Sequence, residues 1–134
     1  MKVLVTGSAG HLGEALMRVL GRETGMELIG LDIKPSRYTT HVGSITDASV
    51  VAGCMQGADA VYHTATLHKP HVATHTKSDF IETNITGTLT LLESAVSNGV
   101  TRFVFTSTTS TFGDALRPPP GQPSAWKRCG SQDG

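Results

Sequence analysis

Gly7, Gly10 and Gly13 follow the apolar run Lys2-Val3-Leu4-Val5-Thr6 and open a helical pattern, the spacing of a loop that cradles a dinucleotide pyrophosphate. Gly7 allows a sharp turn after a strand, Gly10 lets backbone approach the phosphates, and Gly13 lets helix and strand pack closely. The helix N-terminus offers free N–H groups and the positive end of its dipole to the anion. Asp32 closes the next apolar run, Glu27-Leu28-Ile29-Gly30-Leu31, at the distance where an acidic side chain accepts hydrogen bonds from the adenosine ribose hydroxyls. A carboxylate there repels a 2′-phosphate, so NAD is expected over NADP, a preference that Lys34 and Arg37 just beyond it would soften.

Other reactive side chains form no comparable set. His63, His68, His71 and His75 crowd one region, but only His71 and His75 share helical i, i+4 spacing and no Cys or carboxylate completes a ligand set, so no metal site is expected. His63 reads as a core or sheet-end histidine, and the other three as lining a cleft mouth or facing water. Cys54 in an apolar helical stretch and Cys129 in a polar tail have neither metal-ligand spacing nor a disulfide framework. Asn84-Ile85-Thr86 matches a glycosylation acceptor by chance composition. With 11 basic and 11 acidic residues the net charge is zero, which gives nucleic acid no basic surface. The N-terminal apolar run is broken by Gly7 and is too short for a signal peptide or membrane span, so a cytoplasmic protein without a membrane partner is expected.

The elements that must position these residues alternate. Apolar patterning predicts strands at 2–6, 27–31, 59–64 and 102–106, a short strand near 39–42, and helices at about 11–24, 47–56 and 73–98. The first helix carries Leu12, Ala15, Leu16, Val19 and Leu20 as a stripe for a sheet to cover, and the long helix carries Ile81, Ile85, Leu89, Leu92 and Val96 on one side. Gly87 within the long helix costs about 1 kcal/mol against Ala, which marks close packing or the approach of a ligand. Such alternation makes an α/β fold, a parallel sheet with helices on both faces. At 134 residues the chain holds at most one domain and is small for a complete oxidoreductase.

Five ordered blocks resemble the extended short-chain dehydrogenases, the NAD-dependent epimerase/dehydratase family: Thr6-Gly7-Ser8-Ala9-Gly10-His11-Leu12-Gly13, Asp32, His63-Thr64-Ala65, Asn84-Ile85-Thr86-Gly87-Thr88 and Phe105-Thr106-Ser107-Thr108-Thr109-Ser110-Thr111-Phe112-Gly113. The resemblance implies a Rossmann-like doubly wound parallel sheet of order 3-2-1-4-5 over residues 1–113, incomplete because the later strands and a substrate domain are missing. Residues 114–134, rich in Pro and Gly, read as a loop or disordered tail. It further implies that Gly7, Gly10 and Gly13 hold the pyrophosphate with His11 and Leu12 beside it, and that Asp32 and Ile33 meet the adenosine ribose. Ser44 and Ile45 would edge the adenine, Ser44 standing where the family usually has an acid. Thr64, Ala65 and Thr66 would pass beneath the middle of the cofactor, Asn84 would fix active-site backbone, and Thr106 and Ser107 would lie toward the nicotinamide. Thr108 matches the catalytic Ser/Thr that hydrogen-bonds the substrate oxygen.

The family's catalytic set also needs Tyr-x-x-x-Lys on a following helix, where a tyrosinate is the general base and the lysine lowers its pKa. Four residues beyond Tyr38 and Tyr62, the two tyrosines here, stand Val42 and Thr66. The resemblance therefore implies the NAD-binding portion of an enzyme acting on sugars or nucleotide-sugars, expected to be truncated and inactive alone. The alternatives are a non-catalytic NAD-binding sensor or subunit, and a minimal oxidoreductase in which Thr108 and a histidine such as His68 improvise. The apolar strand at 102–106, left as an edge, predicts self-association.

Overall fold

The computed structural model describes residues 1–107, so Thr108 and the tail expected at 114–134 lie outside the described residues. Its elements are β1 (Lys2–Thr6), α1 (His11–Leu20), β2 (Glu27–Asp32), β3 (His41–Val42), α2 (Ala48–Met55), β4 (Ala60–His63), α3 (Lys77–Ile81), α4 (Thr88–Ser97) and β5 (Arg102–Phe105). The strands form one parallel sheet in the order β3-β2-β1-β4-β5, the order the resemblance implies. This is a Rossmann-like α/β fold. β1 is central and buried on both faces, which is why it reads as an unbroken apolar run. Its side chains alternate: Val3 and Val5 meet Met17, Leu16 and Leu20 of α1, while Leu4 joins Val51 and Met55 of α2 and Leu91 of α4 on the opposite face.

β3 is only two residues long and needs no helical crossover. The chain after Asp32 turns back on itself, Thr40 N–H donating to the Gly30 carbonyl at 2.9 Å and Thr40 Oγ1 accepting the Gly30 N–H at 3.0 Å, and so delivers His41 and Val42 to the sheet edge. α2 begins where Asp47 accepts the N–H groups of Ser49 and Val50 at 2.9 and 3.2 Å. Hydrogen bonds from the Ser49 side chain and then from those backbone groups hold the Asp47 carboxyl below its usual range.

Two helical expectations need correction. α1 ends at Leu20 rather than near residue 24, because Gly21 caps it and Gly25, at φ +79°, turns the chain into β2. Its buried positions are Gly13 and Met17, and Leu12 and Val19 face outward, 43% and 54% exposed. Gly13 is pressed onto the turn at the end of β1, and that contact sets the rotation of the helix.

The helix expected over about 73–98 runs from Lys77 to Ser97 without interruption, as α3, a wide π-type segment at Glu82–Gly87 and α4, and a separate 3-10 turn at Lys69–Ala73 precedes it. A capping box starts α3: Thr76 N–H donates to Asp79 at 2.7 Å, and Asp79 N–H donates to Thr76 Oγ1 at 3.2 Å. The inward face carries Gly87, Leu91 and Ala95, whereas Ile81, Ile85, Leu89, Leu92 and Val96 are all exposed. Close packing explains Gly87, since a Cβ there would come within 2.6 Å of the Ile45 side chain. Among the described residues no helix is long and apolar enough to cross a membrane.

Candidate functional site

The glycine turn is built as its spacing suggests. Gly7 sits at φ +75° and donates its N–H to the Leu31 carbonyl at 2.8 Å; a Cβ on it would lie 2.7 Å from Thr64 Oγ1 and 2.8 Å from the Ala65 nitrogen. Gly10 N–H closes back on the Gly7 carbonyl at 2.9 Å, and a Cβ on Gly13 would overlap that same carbonyl oxygen. α1 starts from extended backbone at Gly10 with no side chain capping it, so its first-turn N–H groups, at exposed His11 and Leu12, are left for an anion.

Asp32, half-buried at the end of β2, faces this turn. One carboxylate oxygen accepts the Ala9 N–H at 2.9 Å and the other the Lys34 N–H at 2.8 Å. An ionised carboxylate has about four lone-pair sites, so two such bonds leave acceptor capacity on each oxygen. Ile33 is exposed beside it. Ser44 turns inward on its own loop, its Oγ 2.8 Å from Thr46 Oγ1 and accepting the Thr46 N–H at 3.1 Å. Ile45 is 5% exposed and belongs to the core beneath Gly87.

Beyond β4 the segment Thr64-Ala65-Thr66-Leu67 runs alongside the turn. Thr64 donates its hydroxyl to the Thr6 carbonyl at 2.7 Å. Asn84, in the π-type segment, clamps Leu67 on both sides, accepting its N–H and donating to its carbonyl at 2.8 Å each. Thr106 N–H bonds the His63 carbonyl at 3.0 Å, and Ser107 follows, exposed. The structure thus brings Gly7, Gly10, Gly13, Asp32, Thr64, Ala65 and Thr66 around the carboxyl ends of β1, β2 and β4, while Thr108 lies outside the described residues.

His63 is fully buried, as a core histidine should be, and burial pushes its pKa down to about 4. Its link to Thr6 and Thr88 was not read from the sequence, although a histidine ending the apolar stretch Ala60-Val61-Tyr62, with threonines nearby, is a signal for one. His68, His71 and His75 stack edge to face at centroid distances of 4.6 and 5.5 Å. Among the described residues no group of three His, Cys, Asp or Glu is placed to hold a metal ion.

A doubly wound parallel sheet with a glycine turn on its central strand and an acid ending the next defines a Rossmann-type domain. The family model for the NAD dependent epimerase/dehydratase family matches residues 3–127, and the chain belongs to that family. It is 34% identical over 119 residues to a 3 beta-hydroxysteroid dehydrogenase/Delta 5→4-isomerase of Mycobacterium tuberculosis, a match covering 81% of this chain and 32% of that one. It is 32% identical over 130 residues to a dTDP-glucose 4,6-dehydratase of Streptomyces antibioticus, covering 84% and 39%. A solved short-chain dehydrogenase/reductase superfamily protein from Agrobacterium tumefaciens, with bound NAD, superposes with a TM-score of 0.75 at 32% identity, covering 88% of this chain and 35% of that one. The chain therefore spans roughly a third of the length of these relatives.

Proposed function

We propose that the chain is the NAD-binding portion of an oxidoreductase, epimerase or dehydratase. The pyrophosphate would rest on Gly7, Gly10, His11, Leu12 and Gly13, and the adenosine ribose on Asp32 with Ile33 beside it. The observation that carries this reading is the cradle that any Cβ would fill, at Gly7 and Gly13, facing an uncapped helix N-terminus. Ser44 and the backbone at Ile45 would edge the adenine, the Ile45 side chain being committed to the core. Thr64, Ala65 and Thr66, held by Asn84 through Leu67, would support the middle of the cofactor, with Thr106 and Ser107 toward the nicotinamide. Asp32 favours NAD over NADP because a 2′-phosphate would meet its carboxylate.

Bound NAD supplies a hydride acceptor for an alcohol carbon. The chain's own share is binding and orientation, with Thr108 as the hydroxyl that would hydrogen-bond the substrate oxygen. No Tyr-x-x-x-Lys pair occurs in the 134 residues, and a positioned base contributes about 10² to 10⁴ in rate, so turnover by this polypeptide alone would be slower by about that factor while cofactor binding remains. A sugar or nucleotide-sugar is the substrate class proposed for the whole protein. A steroid alcohol is the second reading, favoured by the 34% identity to the mycobacterial enzyme. Titration calorimetry with NAD tests the binding: saturable heat is expected, and none at millimolar NAD on folded protein would overturn the reading.

A further inference from the structure

The side chain of His63 joins two threonine hydroxyls. Nδ1 lies 2.7 Å from Thr6 Oγ1 and Nε2 lies 3.0 Å from Thr88 Oγ1, with Phe103 and Phe105 against the ring at centroid distances of 6.2 and 5.3 Å. A neutral imidazole has one N–H, and each hydroxyl has one proton to give. The Thr88 proton is already committed, because the Asn84 carbonyl oxygen 2.8 Å away can only accept. Thr88 Oγ1 therefore accepts from His63, which places the ring proton on Nε2. Nδ1 is left bare and accepts the Thr6 hydroxyl. The chain of bonds runs one way, from Thr6 through His63 and Thr88 to the Asn84 carbonyl. The opposite tautomer would set two lone pairs against each other between Nε2 and Thr88 in a buried site.

Both ends of this chain grip the same segment. Thr6 accepts the Ala65 N–H on its hydroxyl at 3.4 Å, and on its carbonyl the Thr64 N–H at 3.2 Å and hydroxyl at 2.7 Å. Asn84, at the other end, holds the N–H and carbonyl of Leu67. Thr6 also immediately precedes the turn glycine Gly7. We propose that His63, held as the Nε2–H tautomer, is a positioning residue that locks Thr64–Leu67 between β1 and the wide helical turn at Asn84 and so sets the seat beneath the cofactor. Its cofactor part rests on the NAD-binding reading; its structural part does not. Burial keeps the ring neutral through ordinary pH, so the arrangement persists there.

Long-range proton–nitrogen NMR on the 15N-histidine-labelled chain tests the tautomer. Protonated Nε2 and bare Nδ1 are expected for His63, and the reverse overturns the proposal. Thr88→Val removes the hydroxyl at nearly constant shape, and Thr88→Ser restores it. Thr88→Val is expected to speed exchange of the Leu67 amide and weaken NAD binding about tenfold, the loss of roughly one hydrogen bond, with both recovering in Thr88→Ser. A lower melting temperature with unchanged Leu67 exchange and unchanged NAD affinity would reduce the pair to core packing and overturn the proposal. If the parent chain binds no NAD, the cofactor reading fails by itself, and the tautomer with Leu67 exchange still decides the positioning role.

Discussion

The Asp32 carboxylate accepts the Ala9 N–H at 2.9 Å, tying the end of β2 to the glycine turn that follows β1. The same side chain is thus a brace for the turn and the group proposed to meet the ribose. Asp32→Asn keeps an acceptor for one of its two backbone partners but removes the charge that repels a 2′-phosphate. The NAD-to-NADP affinity ratio should fall about tenfold, roughly 1.4 kcal/mol, mostly through tighter NADP binding. Calorimetric titration of both dinucleotides checks it, and an unchanged ratio would remove Asp32 from the ribose site.

Gly13 and Gly53 should respond to alanine in opposite directions. A Cβ on Gly13 overlaps the Gly7 carbonyl, so Gly13→Ala must push α1 off β1, costing about 1 to 3 kcal/mol and abolishing NAD binding. Gly53, inside α2, has nothing within 4 Å of its would-be Cβ, and Gly53→Ala should stabilise by about 0.5 to 1 kcal/mol. Urea unfolding of the two variants gives both signs in one experiment.

Stability should fall with acid through His63. Its folded pKa, about 4, lies below the ordinary 6.5, so between those values the unfolded chain binds the proton that the folded chain refuses. The contribution is complete above the unfolded value and is lost as pH drops through it, reaching about 2 kcal/mol by about pH 5. Urea unfolding across this range should show the slope, and His63→Gln should flatten it even if the variant is less stable throughout.

Self-association is expected of the 134-residue chain in the micromolar range. Val104 and Phe105 on the edge strand β5 and Ile85 and Leu89 on the helix are each about half exposed or more, and an edge strand with apolar side chains is a template for pairing with a second copy. Sedimentation velocity should show assembly that weakens in the double variant Leu89→Glu, Phe105→Lys. A parent chain that is strictly monomeric at tens of micromolar would refute the expectation.

The amino-acid sequence by itself determined the alternation of strands and helices, the sheet order through its family blocks, and the turn at Gly7, Gly10 and Gly13. The alternation and the turn follow from local features, an apolar run such as Val3-Leu4-Val5, glycines at close spacing and an acid ending a strand, whereas the sheet order came only as what the family resemblance implies. What tertiary structure alone decided is how far α1 and the long helix are rotated, since Leu16 and Leu20 of the predicted α1 stripe do face the sheet while Leu12 and Val19 do not. Apolar periodicity pointed to Leu12 and Val19 on α1 and to Ile85 and Leu89 on the long helix, yet Gly13 and Gly87 face the core instead. A missing side chain allows backbone to approach another element, and that approach sets the helix rotation more firmly than a stripe of apolar residues does. The widening of the long helix at Glu82–Gly87 and the buried bonds of His63 were hidden for a related reason. They depend on Thr6, His63, Asn84 and Thr88, far apart in the chain, meeting at one place, and no window of sequence contains that meeting.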